Sequence, residues 1–165
     1  MRSQSPLALD IAKSLLRLDE ATGVLYWLVT VNSRAPAGRA AGCKRVKDGY
    51  IQVRVRGQIY LAHQIVWLLH HGVWPDHEID HINGVPDDNR PRNVRRCTHS
   101  QNIANTAVRN PTGFKGVRCV RGKYLALLTH KQKQRYLGTF DTPEEASAVY
   151  LAEARRAFGA FARAS

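Results

Sequence analysis

The N-terminal part of the chain shows first a helical and then a strand-like pattern of hydrophobic positions. Apolar residues recur at helical spacing over residues 7–16, and a turn follows at Thr22-Gly23. The apolar run over residues 24–31 predicts a strand. Residues 33–48 are rich in Gly, Ala, Lys and Arg, so we expect an exposed loop there.

A hairpin and a helix are predicted next. Residues 50–55 alternate with period two, residues 56–57 suit a turn, and residues 58–61 suit the partner strand. The apolar stretch over residues 65–69 predicts a helix that His71-Gly72 ends.

The last third of the chain predicts three strands followed by a helix. The strands cover residues 114–120, 123–129 and 134–140. Residues 141–145 supply a capping residue, a proline and two acids for the first turn of the helix, and Gly159 is a plausible stop. Residues 110–113 predict the linker that precedes these elements.

Net charge adds a preference for a polyanionic partner. The 165 residues carry a formal charge of +12, with a pI of about 10.2. Residues 1–62 and 111–165 each carry ten basic and four acidic residues, whereas residues 63–110 are neutral. This length allows one ordinary domain or two very small ones. We therefore expect two basic segments that flank a neutral centre.

Other classes of protein are disfavoured by what the composition lacks. The sequence has neither an apolar stretch near the ~20 residues of a membrane span nor a signal-peptide core. We expect no membrane partner and a cytoplasmic location, in the host cell if a phage encodes the protein. Cys43, Cys97 and Cys119 form no CxxC pair, so we expect no structural zinc.

The neutral centre holds a cluster of polar residues suited to chemistry. Asp80-His81 ends a short apolar strand, a loop rich in Asn, Asp and Pro follows, and Asn93 opens a returning strand. Thr98 is a good cap for a helix that carries Asn102. A strand, loop, strand and helix in this order can bring Asp80, His81, Asn93 and Asn102 together.

These residue types match the needs of metal-assisted phosphodiester hydrolysis. A hard divalent ion such as Mg²⁺ prefers oxygen ligands, so one carboxylate and one amide suffice when substrate phosphate and water complete the shell. The attacking water needs a base that titrates near neutrality, which histidine offers.

The same run of residues resembles the catalytic motif of the HNH nucleases, particularly phage and intron homing endonucleases. The resemblance implies Asp80 and Asn102 as metal ligands, His81 as general base, and Asn93 as the residue that holds the motif in shape. It further implies Mg²⁺, with Mn²⁺ possible, and products with 5′-phosphate and 3′-hydroxyl ends. The Asn at position 102, where other HNH proteins have His, favours these ions over zinc.

Several neighbouring residues have less defined roles. Asn89 and Arg90 fall where this subgroup tends to place polar residues, and Arg95 or Arg96 adds a positive contact to phosphate. His63 begins an apolar helix, and a packing or capping role is as plausible for it as a phosphate contact.

Residues 111–159 resemble the Apetala/ethylene-response-factor DNA-binding domain, which lays a three-stranded sheet in the major groove. The resemblance rests on residues 113–118, 123–126 and 136–142, with Tyr124 where that family usually has Trp. Strand-borne Arg can read guanine edges and Lys meets phosphates. The predicted DNA contacts are Lys115, Arg118, Arg121, Lys123, Tyr124 and Arg135.

Together these patterns predict an α+β protein with two domains. Residues 1–110 would form the HNH endonuclease domain, with a ββα-metal (His-Me finger) core at about 77–108. Residues 111–165 would form a small antiparallel sheet plus helix that binds DNA. The predicted function is metal-dependent cleavage of double-stranded DNA, by a monomer or a homodimer. A non-cutting DNA-binding regulator is the alternative, and an RNA nuclease is disfavoured because the A-form major groove is too narrow to read.

Overall fold

In a computed structural model of the chain, the structure describes residues 6–108 and 110–163. Contacts divide the chain into two compact units, Met1–Arg96 and Cys97–Ser165, which we call the N-terminal and C-terminal units. The described part is a mixed α+β fold with small antiparallel sheets and four α-helices. None of the helices within the described ranges is long and apolar enough to cross a membrane.

The N-terminal unit contains two helices and most of three small antiparallel sheets. Its elements are α1 (Leu9–Leu15), β1 (Leu16–Asp19), β2 (Val24–Trp27), β3 (Cys43–Lys44), β4 (Ile51–Val55), β5 (Gln58–Leu61), α2 (Ala62–His71), β6 (Glu78–His81) and the start of β7 (Val94–Cys97). β1 pairs with β2, β4 lies between β3 and β5, and β6 pairs with β7.

The core of this unit forms where α2 packs against the β4–β5 hairpin. Alternation places Val53, Val55 and Tyr60 on the buried face of the sheet, against apolar residues of α2 such as Ile65. Gly72 ends α2 in the left-handed conformation. The hairpin and the helix end predicted from the sequence are confirmed.

The beginning of the chain differs from its predicted pattern in two places. The predicted strand over residues 24–31 ends at Trp27, because its partner Leu16 is the first residue of β1 and α1 occupies the chain before it. Val29 and Val31 are exposed instead. The predicted loop over residues 33–48 contains the short strand β3, which pairs with β4.

The C-terminal unit is a three-stranded antiparallel sheet covered by a long helix. Its elements are α3 (His99–Asn105), β8 (Val117–Val120), β9 (Lys123–His130), β10 (Lys133–Phe140) and α4 (Pro143–Phe158). Strand β9 lies in the centre, and α4 packs on it through Ala146, Tyr150 and Ala154. Thr142 caps α4 and Gly159 ends it, as predicted.

β8 begins three residues later than the sequence pattern predicts. The Asn110 and Thr112 side chains bond to the carbonyls of Phe114 and Val117, which holds the preceding segment in a turn. Gly116 lies so close to the Tyr150 ring that a Cβ there would stand 2.2 Å from it.

The boundary between the two units lies after Arg96, whereas the sequence predicts a domain boundary after residue 110. Helix α3 therefore belongs to the C-terminal unit, where Ala104 joins the core. The Lys115 ammonium donates hydrogen bonds to the carbonyls of Ile103, Ala104 and Thr106 at 2.5–2.8 Å. This lysine therefore places a cationic donor at the carbonyl end of α3.

Candidate active site

The β6–β7 hairpin positions the first two predicted catalytic residues. Asp80 and His81 are the last residues of β6, and both are nearly fully buried. Arg95 on β7 donates from its Nε to Oδ2 of Asp80 at 2.9 Å, so the buried carboxylate is paired with a guanidinium. Burial of a carboxylate is tolerated when a cation accompanies it.

Asn93 fixes the conformation of the β6–β7 loop (residues 82–93). Its Nδ2 donates to Oδ1 of Asn83 at 3.0 Å and to the carbonyl of Asp88 at 2.7 Å. The Oδ1 of Asn93 accepts a hydrogen bond from the backbone N–H of Asn83 at 3.1 Å. The backbone carbonyl of Asn93 accepts one from the backbone N–H of Ile82 at 2.8 Å. One buried side chain thus joins both ends and the middle of the loop.

A salt bridge reinforces the same loop. Arg90 donates to both carboxylate oxygens of Asp88, and Asn83 donates to Oδ2 from its side chain at 2.7 Å. The bond from Arg90 is the main cause that lowers the pKa of Asp88 to about 2. The Asp88 carboxylate is therefore ionised near neutral pH, where it keeps this ion pair.

Asn89 orients the imidazole of His81. Its Oδ1 lies 3.0 Å from Nε2 of His81, and both residues are buried. The Nδ2 of Asn89 donates to the backbone carbonyl of Asp87 at 3.5 Å. This contact orients the amide so that its oxygen, rather than its nitrogen, faces the imidazole. Because an amide oxygen only accepts hydrogen bonds, this orientation of the Asn89 amide requires a hydrogen on Nε2 of His81.

Two further rings surround His81. The ring of His63, on the first turn of α2, meets it edge-on with centroids 5.0 Å apart, and Tyr50 lies 5.7 Å from His81 and 5.4 Å from His63. Burial, with smaller contributions from the neighbouring charges of His81 and Arg45, lowers the pKa of His63 to about 3. His63 is therefore a neutral packing residue beside His81.

The turn between β1 and β2 supports this loop from outside. Gly23 has a φ of +74°, and a Cβ there would stand 2.3 Å from both the backbone N of Arg90 and the carbonyl carbon of Asn89. Only glycine allows this approach. The sequence pattern identified Gly23 as a turn, and its contact with Asn89 emerges only in three dimensions.

The family comparison agrees with this geometry. Residues 60–104, about a quarter of the chain, match the family model of the HNH endonuclease. This segment is therefore similar to an HNH endonuclease domain. The match supports an enzyme that hydrolyses DNA, with DNA as the substrate. The chain has no match among curated proteins and none among solved structures.

The HNH segment includes each predicted catalytic residue, and the N-terminal unit brings three of them close together. Asp80, His81 and Asn93 lie at the β6–β7 hairpin. Asn102 lies on α3 in the C-terminal unit, on a helix that starts at Thr98 with a capping box, as predicted. Its role as a metal ligand stays a prediction.

The buried carboxylate of Asp80 is a candidate oxygen donor for a metal ion. HNH nucleases generally use a divalent metal ion. Among residues 6–108 and 110–163, no group of three or more His, Cys, Asp or Glu side chains is arranged to hold one. A hard divalent ion prefers oxygen donors, and the Asp80 carboxylate is a donor of this kind.

Several of the residues predicted to contact DNA already form ion pairs or hydrogen bonds within the protein. Arg95 is paired with Asp80, and exposed Arg96 contacts Asp76 and His77. In the C-terminal unit, Lys115 bonds to the end of α3 as described above. Lys123 pairs with Asp141, and Arg135 lies 3.7 Å from Glu153.

Arg118 and Arg121 are exposed cations of the predicted DNA surface. Arg118 is exposed on β8, and Arg121 occupies the β8–β9 turn with a φ of +50°. Neither forms an ion pair with any residue in the described ranges. Tyr124 is half-buried and packs on the core of the unit.

Proposed function

We propose that the protein is a metal-dependent endonuclease of the HNH homing type that cleaves double-stranded DNA. The observation that carries this proposal is the buried pair Asp80-His81, with Nε2 of His81 bonded to Asn89. A buried, oriented imidazole next to a carboxylate is what the activation of water near a bound metal requires. The homing type rests on the motif resemblance.

His81 acts as the general base. With its hydrogen on Nε2, the ring accepts a proton at Nδ1 from the water that attacks the phosphorus. Asn89 holds the ring in this tautomer, and the edge of His63 limits its rotation. Pre-orientation lowers the barrier because the ring need not reorganise during the reaction.

Asp80 and Asn102 would hold Mg²⁺, or Mn²⁺, through oxygen atoms. When bound, such an ion stabilises the negative charge that develops on the leaving 3′ oxygen. Arg95 holds the Asp80 carboxylate in place through a hydrogen bond from its Nε, and Asn93 holds the β6–β7 loop in its conformation. The expected products carry 5′-phosphate and 3′-hydroxyl ends.

The remainder of the chain would recognise DNA. The HNH domain would extend to residue 110, with its ββα-metal core at about 77–108, and residues 111–165 would form the Apetala/ethylene-response-factor-like domain. The exposure of Arg118 on β8 and of Arg121 in the β8–β9 turn supports direct contact with DNA. We favour these two residues over Lys115, whose ammonium is engaged by α3.

Conversion of supercoiled plasmid tests this function. Purified protein should produce nicked or linear plasmid with Mg²⁺ and none with EDTA, and Asp80→Ala should be inactive with Mg²⁺. Glu78→Ala, an exposed residue on the same strand, is the matched control and should cleave like the wild type. Cleavage in EDTA, or by Asp80→Ala at the wild-type rate, would overturn the metal-dependent mechanism. A plasmid that shifts on a gel and stays supercoiled would instead support a non-cutting regulator.

A further inference from the structure

The N-terminal unit has a groove that the HNH motif does not use. It has a volume of about 660 Å³ and lies between residues 27–42 and the solvent face of the β3–β4–β5 sheet. Gln52 and Arg54 of β4 line it, whereas Val53 and Val55 alternate to the opposite face and pack toward α2. Helix α2, on the opposite face of the sheet, carries His63, which lies beside His81. The sheet therefore lies between this groove and the catalytic histidine.

The groove is strongly basic. Four arginines from two segments line it, and no acidic residue does among the described residues that form its walls. We call it the arginine groove, and these residues are Arg34, Arg39, Arg54 and Arg56. Between residues 21 and 75 the sequence has one acid, Asp48, which is paired with Arg45 outside the groove.

Gathering four like charges without a counter-charge is unfavourable for the protein alone. Part of the arrangement is nevertheless held in place, since Arg54 donates from its guanidinium to the carbonyl of Gly57 at 3.1 Å. Exposed apolar side chains of Val31 and Ile59 lie between the cations. Guanidinium groups suit phosphate oxygens, and the apolar patches suit the deoxyribose between phosphates.

We propose that the arginine groove binds the sugar-phosphate backbone of the duplex DNA substrate. This surface shares no residue with the β6–β7 loop. It rests on DNA being the substrate of the HNH domain and is independent of which residues cut. Backbone contacts of this kind position the enzyme and contribute affinity without reading sequence.

Paired substitutions that remove the same charge test the proposal. Arg34→Gln/Arg39→Gln removes two cations from the groove, and Lys13→Gln/Lys47→Gln removes two exposed cations elsewhere in the same unit. Affinity for a fluorescent duplex is measured by anisotropy in EDTA, at several salt concentrations. We expect the groove variant to bind the duplex at least about fivefold more weakly. We also expect the slope of the logarithm of its binding constant against the logarithm of the salt concentration to be smaller in magnitude by about 2. Equal affinities for the two variants would overturn the proposal.

Cys43 provides a second, local readout. It is exposed in the arginine groove, Cys97 is buried, and Cys119→Ser removes the other exposed thiol. Duplex DNA should slow alkylation of Cys43 by at least about fivefold, because bound backbone covers the groove. An unchanged alkylation rate at saturating duplex would overturn the proposal, as would protection by duplex RNA and not by duplex DNA.

These two measurements separate the groove from the nuclease mechanism. Neither involves cleavage, so a failure of the His81 chemistry would leave both results intact. Thermal melting shows whether each variant is folded. If the groove variant melts at the same temperature as its control, a loss of affinity comes from the missing groove charges and not from unfolding.

Discussion

The β6–β7 loop and the sheet of the C-terminal unit use polar side chains in opposite ways. In the loop, His81, Asn89 and Asn93 are buried and bonded to one another or to the backbone. On the sheet, Arg118 and Arg121 stand in solvent. Buried networks depend on geometry, so removal of one member should have a large effect, whereas exposed cations should act through charge, in small and salt-dependent steps.

Removal of the Asn89 amide should produce the largest effect of the substitutions around His81. Asn89→Ala leaves Nε2 of buried His81 without its acceptor, so the ring loses its fixed tautomer and orientation. We expect single-turnover cleavage to slow by about 100-fold or more, with DNA affinity unchanged. The measurement is the cleavage rate together with the ¹⁵N shifts of the His81 ring, which report its tautomer.

Ser14→Ala, at an exposed position of α1 in the same unit, is the control and should retain both the rate and the ¹⁵N shifts. A fully active Asn89→Ala enzyme with an unchanged tautomer would show that the loop does not orient His81.

A methyl group at Gly23 should disturb the same loop from outside. Gly23→Ala combines an unfavourable φ with a clash against the backbone of Asn89 and Arg90. We expect a loss of about 2–3 kcal/mol in the free energy of unfolding and at least about tenfold in cleavage rate. Gly38→Ala is the matched control, because Gly38 has a similar φ of +80° and a Cβ there would meet nothing within 4 Å. Similar losses in both variants would contradict the contact with the loop.

His63 should make the N-terminal unit sensitive to acid. Its pKa is about 3 in the folded protein and near 6.5 when unfolded, so between these values the unfolded chain binds more protons and stability falls as pH falls. Replacement by a neutral ring, His63→Phe, should remove this dependence, which amounts to about 2 kcal/mol between pH 7 and pH 5. Denaturant unfolding at both pH values measures it, with exposed His77→Phe as control. Parallel pH dependence in wild type and His63→Phe would refute the assignment.

The smallest effects belong to the exposed surface. Arg118→Gln should weaken duplex binding by about 1 kcal/mol, less at high salt, and leave stability unchanged. Lys115→Gln should instead lower stability by about 1 kcal/mol, because its ammonium bonds to the end of α3. Anisotropy and thermal melting of both variants give the comparison. The reverse pattern would place the DNA contact at Lys115.

Local patterns predicted the elements whose determinants lie close together in sequence. The β4–β5 hairpin, the Thr98 cap of α3 and the strands and helix of the C-terminal unit are confirmed. β1 was missed because it is four residues long and directly follows a helix. Its length leaves too few positions for a period of two to stand out.

The site was predictable as a set of residue types and spacings, but its supporting contacts were not. Asp80, His81 and Asn93 meet at one hairpin, as their order along the chain suggested. The approach of Gly23 to Asn89 and the packing of His63 on His81 join segments far apart in sequence. Such contacts follow from tertiary packing, which no local periodicity encodes.

The central claim is that His81 is the general base of a metal-dependent nuclease. Its most direct test is the single-turnover cleavage of duplex DNA with saturating enzyme and Mg²⁺, comparing His81→Ala with the exposed control His77→Ala. We predict that His81→Ala loses about 100-fold to 10,000-fold in rate while its DNA affinity stays within about twofold of the wild type. Cleavage by His81→Ala at the rate of His77→Ala would contradict the account.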